Sequence, residues 1–241
     1  MLHKTRAIIM STLRYGESSL IVHAYTEQWG RLTLMLKGVR KPGKRGRVGM
    51  FQPLHMLELD VYYRENREMQ WIRDVAFSGD VPGMQHDVVK STQALFLGEV
   101  LVKTIGEEER NPELFGFLAE SVRYFGSLQE ASPSFHLVFL FRLTRHLGFY
   151  PRNNFSERNR YFNLSAGDFG SVPETTDLEG EALLGRQWHS CFTNEYNTAD
   201  QAFTNHDQRN RMLDALLRFY RLHHAARGEL RSLEVLRTVF S

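Results

Sequence analysis

The chain contains a single cysteine, Cys191, in 241 residues. One thiol excludes an intramolecular disulfide framework and any zinc or iron–sulfur site built from several cysteines. Long apolar runs are also missing, since the longest spans only residues 137–141 and a membrane-spanning helix needs about 20. The first residues lack the apolar stretch of a secretory signal and include Arg6 and Arg14. The composition therefore predicts a protein of the reducing cytoplasm without a membrane-spanning segment, and we expect no membrane among its partners.

Acidic residues are scarce at the start of the chain. Residues 1–57 contain ten Lys or Arg against two acidic residues, a net charge of +8, whereas the whole chain carries +2. Six basic against eight acidic residues give −2 for 81–150, and eleven against twelve give −1 for 151–241. A polyanion-binding surface is therefore expected near the N-terminus. Charge alone does not distinguish DNA, RNA and an acidic membrane surface.

Short runs of apolar, β-branched and aromatic residues between turn residues predict five strands in the first part of the chain. They are Ala7–Leu13, Ser19–Thr26, Arg31–Gly38, Leu54–Tyr63 and Met69–Val75. Five short strands within about 80 residues favour the OB-fold, a small barrel that binds oligonucleotides. An SH3-like barrel fits the same count.

Beyond residue 80 the apolar spacing changes from two to about 3.6 residues, which is typical of helices. The predicted helices are Asp87–Ile105, one opening at Asn111, one opening at Ser132, Arg209–His223 and Ser232–Val239. A small hairpin over 161–169 interrupts them, inside residues 151–173. The predicted architecture is α+β and multidomain: an OB-fold β-barrel over 1–80, then an α-helical domain over 81–241.

A cationic loop follows the third predicted strand. Its basic residues are Lys37, Arg40, Lys41, Lys44, Arg45 and Arg47, with no acidic residue among them. Four glycines keep the backbone adaptable, so these side chains can follow an irregular phosphate chain. Binding of single strands also needs flat rings for the bases. Tyr15, Tyr25, Trp29 and Phe51 lie nearby in the sequence. We therefore predict that the six basic residues bind nucleic acid.

The same loop also matches the phosphate-loop pattern G-x-x-x-x-G-K over residues 38–44. Arg45 stands where a magnesium-binding Ser or Thr is required, and Pro53 and a strand follow where a helix should begin. The chain has neither H-E-x-x-H nor G-x-S-x-G, and its histidines lack metal-ligand spacing. We predict no catalytic residue, no metal and no cofactor.

A succession of short motifs in this order resembles the RecO family of bacterial recombination mediators. The motifs are Lys4–Ile9, Arg14–Ser19, Trp29–Leu32, Lys37–Pro42 and Leu147–Pro151. Together they cover essentially the whole chain, and their order is more specific than any one of them.

The resemblance implies an OB-fold followed by a helical domain, no enzymatic turnover and no small-molecule substrate. It implies binding to single- and double-stranded DNA, annealing of complementary strands and, with RecR, loading of RecA onto DNA coated by single-strand-binding protein (SSB). It places DNA contact on Lys37, Arg40 and Lys41, while the other three loop residues rest on charge and position. Some members bind the acidic, aromatic-ended tail of SSB on the helical domain. Helices edged by Arg123, Arg142 or Arg145 are candidates for that contact.

Many members of the family carry four zinc-binding cysteines after the proline that matches Pro151. Residues 152–158 contain none, so the chain resembles a zinc-free branch, and we expect the 161–169 hairpin to fill that place. Two alternatives stay open at this stage: an RNA-binding barrel protein and a phosphate-loop nucleotide hydrolase. The expected location is the cytoplasm, in association with the nucleoid.

Overall fold

A computed structural model describes residues 1–39, 45–79, 87–106, 109–224 and 228–239, with the backbone alone at 45 and 46. The strands are β1 (Leu2–Tyr15), β2 (Ser19–Thr26), β3 (Gly30–Leu36), β4 (Met56–Tyr62), β5 (Met69–Phe77), β6 (Tyr161–Asn163) and β7 (Asp168–Gly170). The α-helices are α1 (Val88–Thr104), α2 (Pro112–Ser127), α3 (Phe135–His146), α4 (Leu178–Thr193), α5 (Ala199–Ala202), α6 (His206–His223) and α7 (Ser232–Val239). A 3-10 helix, Arg45–Met50, lies between β3 and β4.

The first five strands close into a barrel in the order β1-β2-β3-β5-β4, and β4 pairs back onto β1. Among the strands that the structure describes, β3 and β5 are the one pair that runs in parallel. On β4, Leu57, Leu59 and Val61 are fully buried, whereas the intervening Glu58 and Asp60 are half-buried. This alternation is what a sheet with one apolar face requires. The architecture is an OB-fold followed by helices, as predicted, although β1 extends beyond the predicted Ala7–Leu13.

The first helix packs directly on the barrel. The Asp87 side chain accepts hydrogen bonds from the backbone N–H groups of Val89 and Lys90 at 2.8 and 3.1 Å, so it is the N-cap of α1. A Cβ at Gly98 would lie 2.3 Å from the carbonyl oxygen of Met10 on β1. Only glycine permits this approach, which fixes α1 against the strand.

The last helix returns to α1. The carboxylate of Glu99 accepts hydrogen bonds from the backbone N–H groups of Arg231 and Ser232 at 3.0 and 2.9 Å. These groups lie at the N-terminus of α7, where the first N–H groups of a helix have no partner within it. Glu99 therefore ties α7 to α1, and this hydrogen bonding lowers its pKa against the opposing effect of burial.

The chain divides into two compact units. One comprises Met1–Ala131 together with Glu229–Val239, and the other comprises Ser132–Gly228. The change from strands to helices occurs between β5 and α1. The division into domains over 1–80 and 81–241 stays a prediction.

The second compact unit is organised around aromatic side chains. Trp188 of α4 is fully buried and stacks on Phe162 of β6 at a centroid distance of 3.9 Å. The pairing of β6 with β7 confirms the predicted hairpin. Helix α3 begins later than Ser132, because the Asp200 carboxylate accepts hydrogen bonds from the Ser132 hydroxyl and the Ser134 N–H before its first turn.

Candidate nucleic-acid interface

Lys37 lies immediately after β3, and its side chain is exposed. Leu36 before it is buried, and Gly38 after it adopts a φ of 69°, which turns the chain at this point. The Lys37 ammonium lies 3.6 Å from the centroid of the Trp71 ring on β5, a cation–π contact. The end of β3 therefore places a positive charge beside an aromatic ring.

Arg47 reaches the same region from the 3-10 helix. Two contacts hold the end of that helix: the Thr12 hydroxyl donates to the carbonyl of buried Phe51 at 2.8 Å, and the His55 Nδ1 lies 2.9 Å from the carbonyl oxygen of Met50. Burial lowers the pKa of His55. The neutral ring and the hydroxyl thus fix the backbone that carries Arg47.

Arg73 is brought to this surface by an irregularity in the β4–β5 pairing. Asp60 pairs with Asp74 and Val61 with Ile72, which leaves Arg73 as the extra residue of a β-bulge. Bulges commonly re-aim side chains in this way. Arg73 donates to the Asp60 carboxylate at 2.8 Å.

These three cations surround one small concave surface. A cavity of about 100 Å³ is lined by Met35, Leu36, Lys37, Val39, Arg47, Trp71, Ile72 and Arg73. Two acids lie beside the cavity. Asp60 pairs with Arg73, and Asp74 lies 3.2 Å from Arg47. Three cations against two carboxylates leave a charge of about +1, and both arginines stay half-exposed. A phosphate can approach them at the rim without losing all its water.

Two of the six predicted binding residues therefore meet at one surface, Lys37 and Arg47. Arg40, Lys41 and Lys44 lie outside the described residues, as does the side chain of Arg45. Their role stays a prediction. The sequence reasoning missed Arg73, because only the bulge and the pairing of β5 with β3 bring it to the loop.

The aromatic residues named from the sequence are placed differently from the expectation. Tyr25 and Phe51 are buried at 0% and 2% exposure, so neither can stack on a base. Trp29 is half-buried and stacks on Tyr63 at 4.4 Å. Tyr15 is exposed at the end of β1, where it pairs with Ser19 of β2. The ring in contact with Lys37 is Trp71, which is exposed like its cross-strand partner Tyr62.

The phosphate-loop alternative lacks its structural context. In nucleotide hydrolases this loop leads from a strand into an α-helix whose N-terminus faces the phosphates. Here a six-residue 3-10 helix follows at Arg45, and β4 comes next in an antiparallel pairing with β1.

Comparison with known proteins gives matches along the whole chain. The profile described as "Recombination protein O N terminal" matches residues 1–79, and "Recombination protein O C terminal" matches residues 85–234. Proteins named DNA repair protein RecO are 35% identical in Christiangramia forsetii and 32% identical in Bacteroides fragilis and Phocaeicola vulgatus. Each match covers 100% of both chains. The chain belongs to the RecO family. The names of these relatives state DNA repair and no enzymatic activity.

The four-thiolate zinc site expected of many RecO-family proteins does not fit this chain. At the corresponding place the Asn154 side-chain amide donates to the carbonyl of Phe169 at 2.9 Å, and its oxygen accepts from the Phe169 N–H at 2.8 Å. Phe155 stacks on His189 at 4.4 Å. Cys191 is buried, and burial raises the pKa of its thiol. Within the described ranges no three His, Cys, Asp or Glu side chains form a metal-binding group. The amide ties this stretch to β7 of the hairpin, and the ring contact ties it to α4.

The arginines expected to meet a protein partner lie on two helices. Arg142 and Arg145 share α3, and Arg123 lies on α2 in the other compact unit. Arg142 lies 5.0 Å from the centroid of the Tyr196 ring, and Arg145 lies 5.9 Å from that of Tyr150. The second unit of this RecO-family protein therefore presents cations beside partly exposed rings. Among the described residues no helix has the length and apolar character to cross a membrane.

Proposed function

We propose that this RecO-family protein binds single- and double-stranded DNA through the barrel surface formed by Lys37, Arg47 and Arg73. The observation that carries the proposal is the convergence of these three cations, from three separate segments, around one concave surface. Arg40, Lys41, Lys44 and Arg45, which lie between Lys37 and Arg47 in the sequence, are proposed as further DNA contacts. Phosphate contacts of this kind position a nucleic acid without reading its bases.

Annealing follows from the same electrostatics. Two complementary strands repel each other through their phosphates, and a cationic surface lowers that repulsion by neutralising part of the phosphate charge. No covalent bond is made or broken in annealing, so the activity needs neither nucleotide hydrolysis nor a catalytic residue. We place the protein with RecR in the loading of RecA onto SSB-coated DNA, as a mediator and not as an enzyme.

The second compact unit serves as the docking site for the acidic, aromatic-ended tail of SSB in this proposal. Arg142 and Arg145 supply positive charge for the tail. Tyr150 and Phe192, whose ring centroids lie 5.6 Å apart, supply an apolar surface for its last residue. Arginine beside aromatic rings is the combination that recognition of such a tail requires.

A fluorescence assay of oligonucleotide annealing tests the function directly. Complementary labelled DNA strands are mixed with the protein without any nucleotide, with and without SSB. We expect faster pairing in both conditions. No acceleration in either condition contradicts the proposal. Selective binding to RNA would favour the RNA-binding alternative, and ATP hydrolysis abolished by Lys44→Ala would favour the hydrolase.

A further inference from the structure

An apolar row crosses the outside of the barrel beside the cationic surface. Leu2 pairs with Tyr62, Tyr62 pairs with Trp71, and Trp71 pairs with Met35, so the four residues follow one another across β1, β4, β5 and β3. Residues directly opposite in such pairs project from the same face. Leu2, Tyr62 and Trp71 are exposed at 41%, 50% and 40%.

The two rings form the centre of this row. Neighbouring strands lie about 4.8 Å apart, so Tyr62 and Trp71 are adjacent side chains. Large aromatic residues usually contribute their area to a core, as Tyr25 and Phe51 do in this barrel. Two adjacent rings left exposed on the outer face of the same barrel indicate a surface that binds a partner.

The charges around the rings identify the chemistry of that partner. Lys37 lies over Trp71, and Arg73 is two residues from it on β5. Asp60 and Asp74 are the acids beside them, each paired with an arginine. A ligand that fits this surface needs flat rings and negative charge at a regular spacing. Unpaired nucleotides of a DNA strand have both.

We propose that Tyr62 and Trp71 are a stacking platform for unpaired bases of single-stranded DNA, and that Lys37 leaves the Trp71 ring to meet a phosphate when a base arrives. The inference rests on the proposed function and names the ligand form that the barrel surface prefers. Duplex DNA keeps its bases stacked inside and reaches only the cations.

The exchange on Trp71 is favourable because the two contacts differ in strength. An exposed cation–π pair changes an equilibrium by about 2- to 5-fold. A base stacked on an aromatic ring changes affinity by about 5- to 150-fold. The displaced ammonium also gains a phosphate partner, so a base replaces it without leaving the charge unpaired.

The test compares an oligothymidylate with an abasic oligonucleotide of the same length, which keeps the phosphates and lacks the bases. We expect the unaltered protein to bind the abasic strand at least 5-fold more weakly at equal salt. Equal affinity for both strands overturns the stacking platform, while DNA binding itself stands. Absence of binding to any DNA overturns the proposed function as well.

Variants then assign the effect to the two rings. Tyr62→Ala and Trp71→Ala should each lower the affinity for oligothymidylate about 5- to 150-fold, with duplex affinity and salt slope unchanged. Trp71→Phe should retain most of the affinity, because a ring remains. Leu222→Ala is the control, because it removes an exposed apolar side chain on α6 of the second compact unit, and it should change nothing.

Two results would overturn the assignment. One is an equal loss of single-strand and duplex affinity in the ring variants. The other is unchanged DNA binding with an altered molecular mass in solution, which would make the row a contact between copies of the chain. The comparison of the two oligonucleotides uses the unaltered protein, so it remains decisive even if a variant fails to fold.

Discussion

Alanine at Lys37, Arg47 and Arg73 together removes the three cations that surround the cavity of the barrel. Each phosphate contact to a single strand contributes about 0.7 to the slope of log affinity against log salt. Loss of three contacts should therefore reduce that slope by about 2, equivalent to about a 16-fold smaller loss of affinity between 50 and 200 mM salt. Fluorescence anisotropy with a labelled oligonucleotide at several salt concentrations measures both quantities.

Asp60 and Asp74 can make the change in salt slope smaller than about 2. Arg47 and Arg73 face Asp74 and Asp60 in the free protein. If both arginines remained with these acids in the complex, only the slope of about 0.7 for Lys37 would be lost. Asp60→Asn is the matched control: it frees Arg73 and should strengthen binding. Folding of the triple variant should change little, since exposed charges contribute within about 0.5 kcal/mol. An unchanged slope and affinity in the triple variant would refute the reasoning and move the DNA surface elsewhere.

Three further predictions concern the fold. Gly98→Ala should destabilise the protein by about 1–3 kcal/mol in urea unfolding, because its Cβ would overlap the Met10 carbonyl. Gly116→Ala on α2, with open space around it, is the control and should be neutral or stabilising. Equal effects of the two substitutions would contradict the close approach of Gly98 to Met10. Burial and Arg209 lower the pKa of His136 to about 3. The unfolded chain therefore takes up the proton first, and the free energy of unfolding should fall by up to about 1.4 kcal/mol per pH unit as the pH drops from about 6.5 towards 3. His136→Gln should remove that part of the pH dependence. If the free energy of unfolding of the variant changed with pH as it does in the unaltered protein, His136 would not be its source. Metal chelators should leave the Tm unchanged, and chelator-induced unfolding with about one zinc per chain would overturn the zinc-free assignment.

The barrel could be predicted from the sequence because its strands alternate clearly between apolar and polar residues. The helix from Asp87 and the helix that opens at Asn111 were equally predictable. Helix α4 gave no comparable signal, because Gly180 and Gly185 interrupt it and polar residues dilute its apolar face. Its Gly185 is required by tertiary packing, since a Cβ there would lie 1.9 Å from the Arg160 carbonyl oxygen.

The candidate site was predictable only in part. Local charge density pointed to Lys37 and Arg47, because the signal lies within one loop. Tyr62, Trp71 and Arg73 become neighbours of that loop only through the pairing of β4, β5 and β3 and through the bulge. An aromatic residue in a predicted strand looks the same whether it faces the core or the solvent. A shift of one residue in the strand pairing moves the ring from the core face to the solvent face.

Photo-crosslinking tests the central claim, that DNA meets the barrel surface around Lys37, most directly. A single-stranded oligonucleotide carrying 5-iodouracil is irradiated in complex with the full chain, and the attached peptides are identified by mass spectrometry. We expect attachment at Trp71 or Tyr62, and we expect excess unlabelled single strand to abolish it. Attachment confined to residues 132–228 would contradict it.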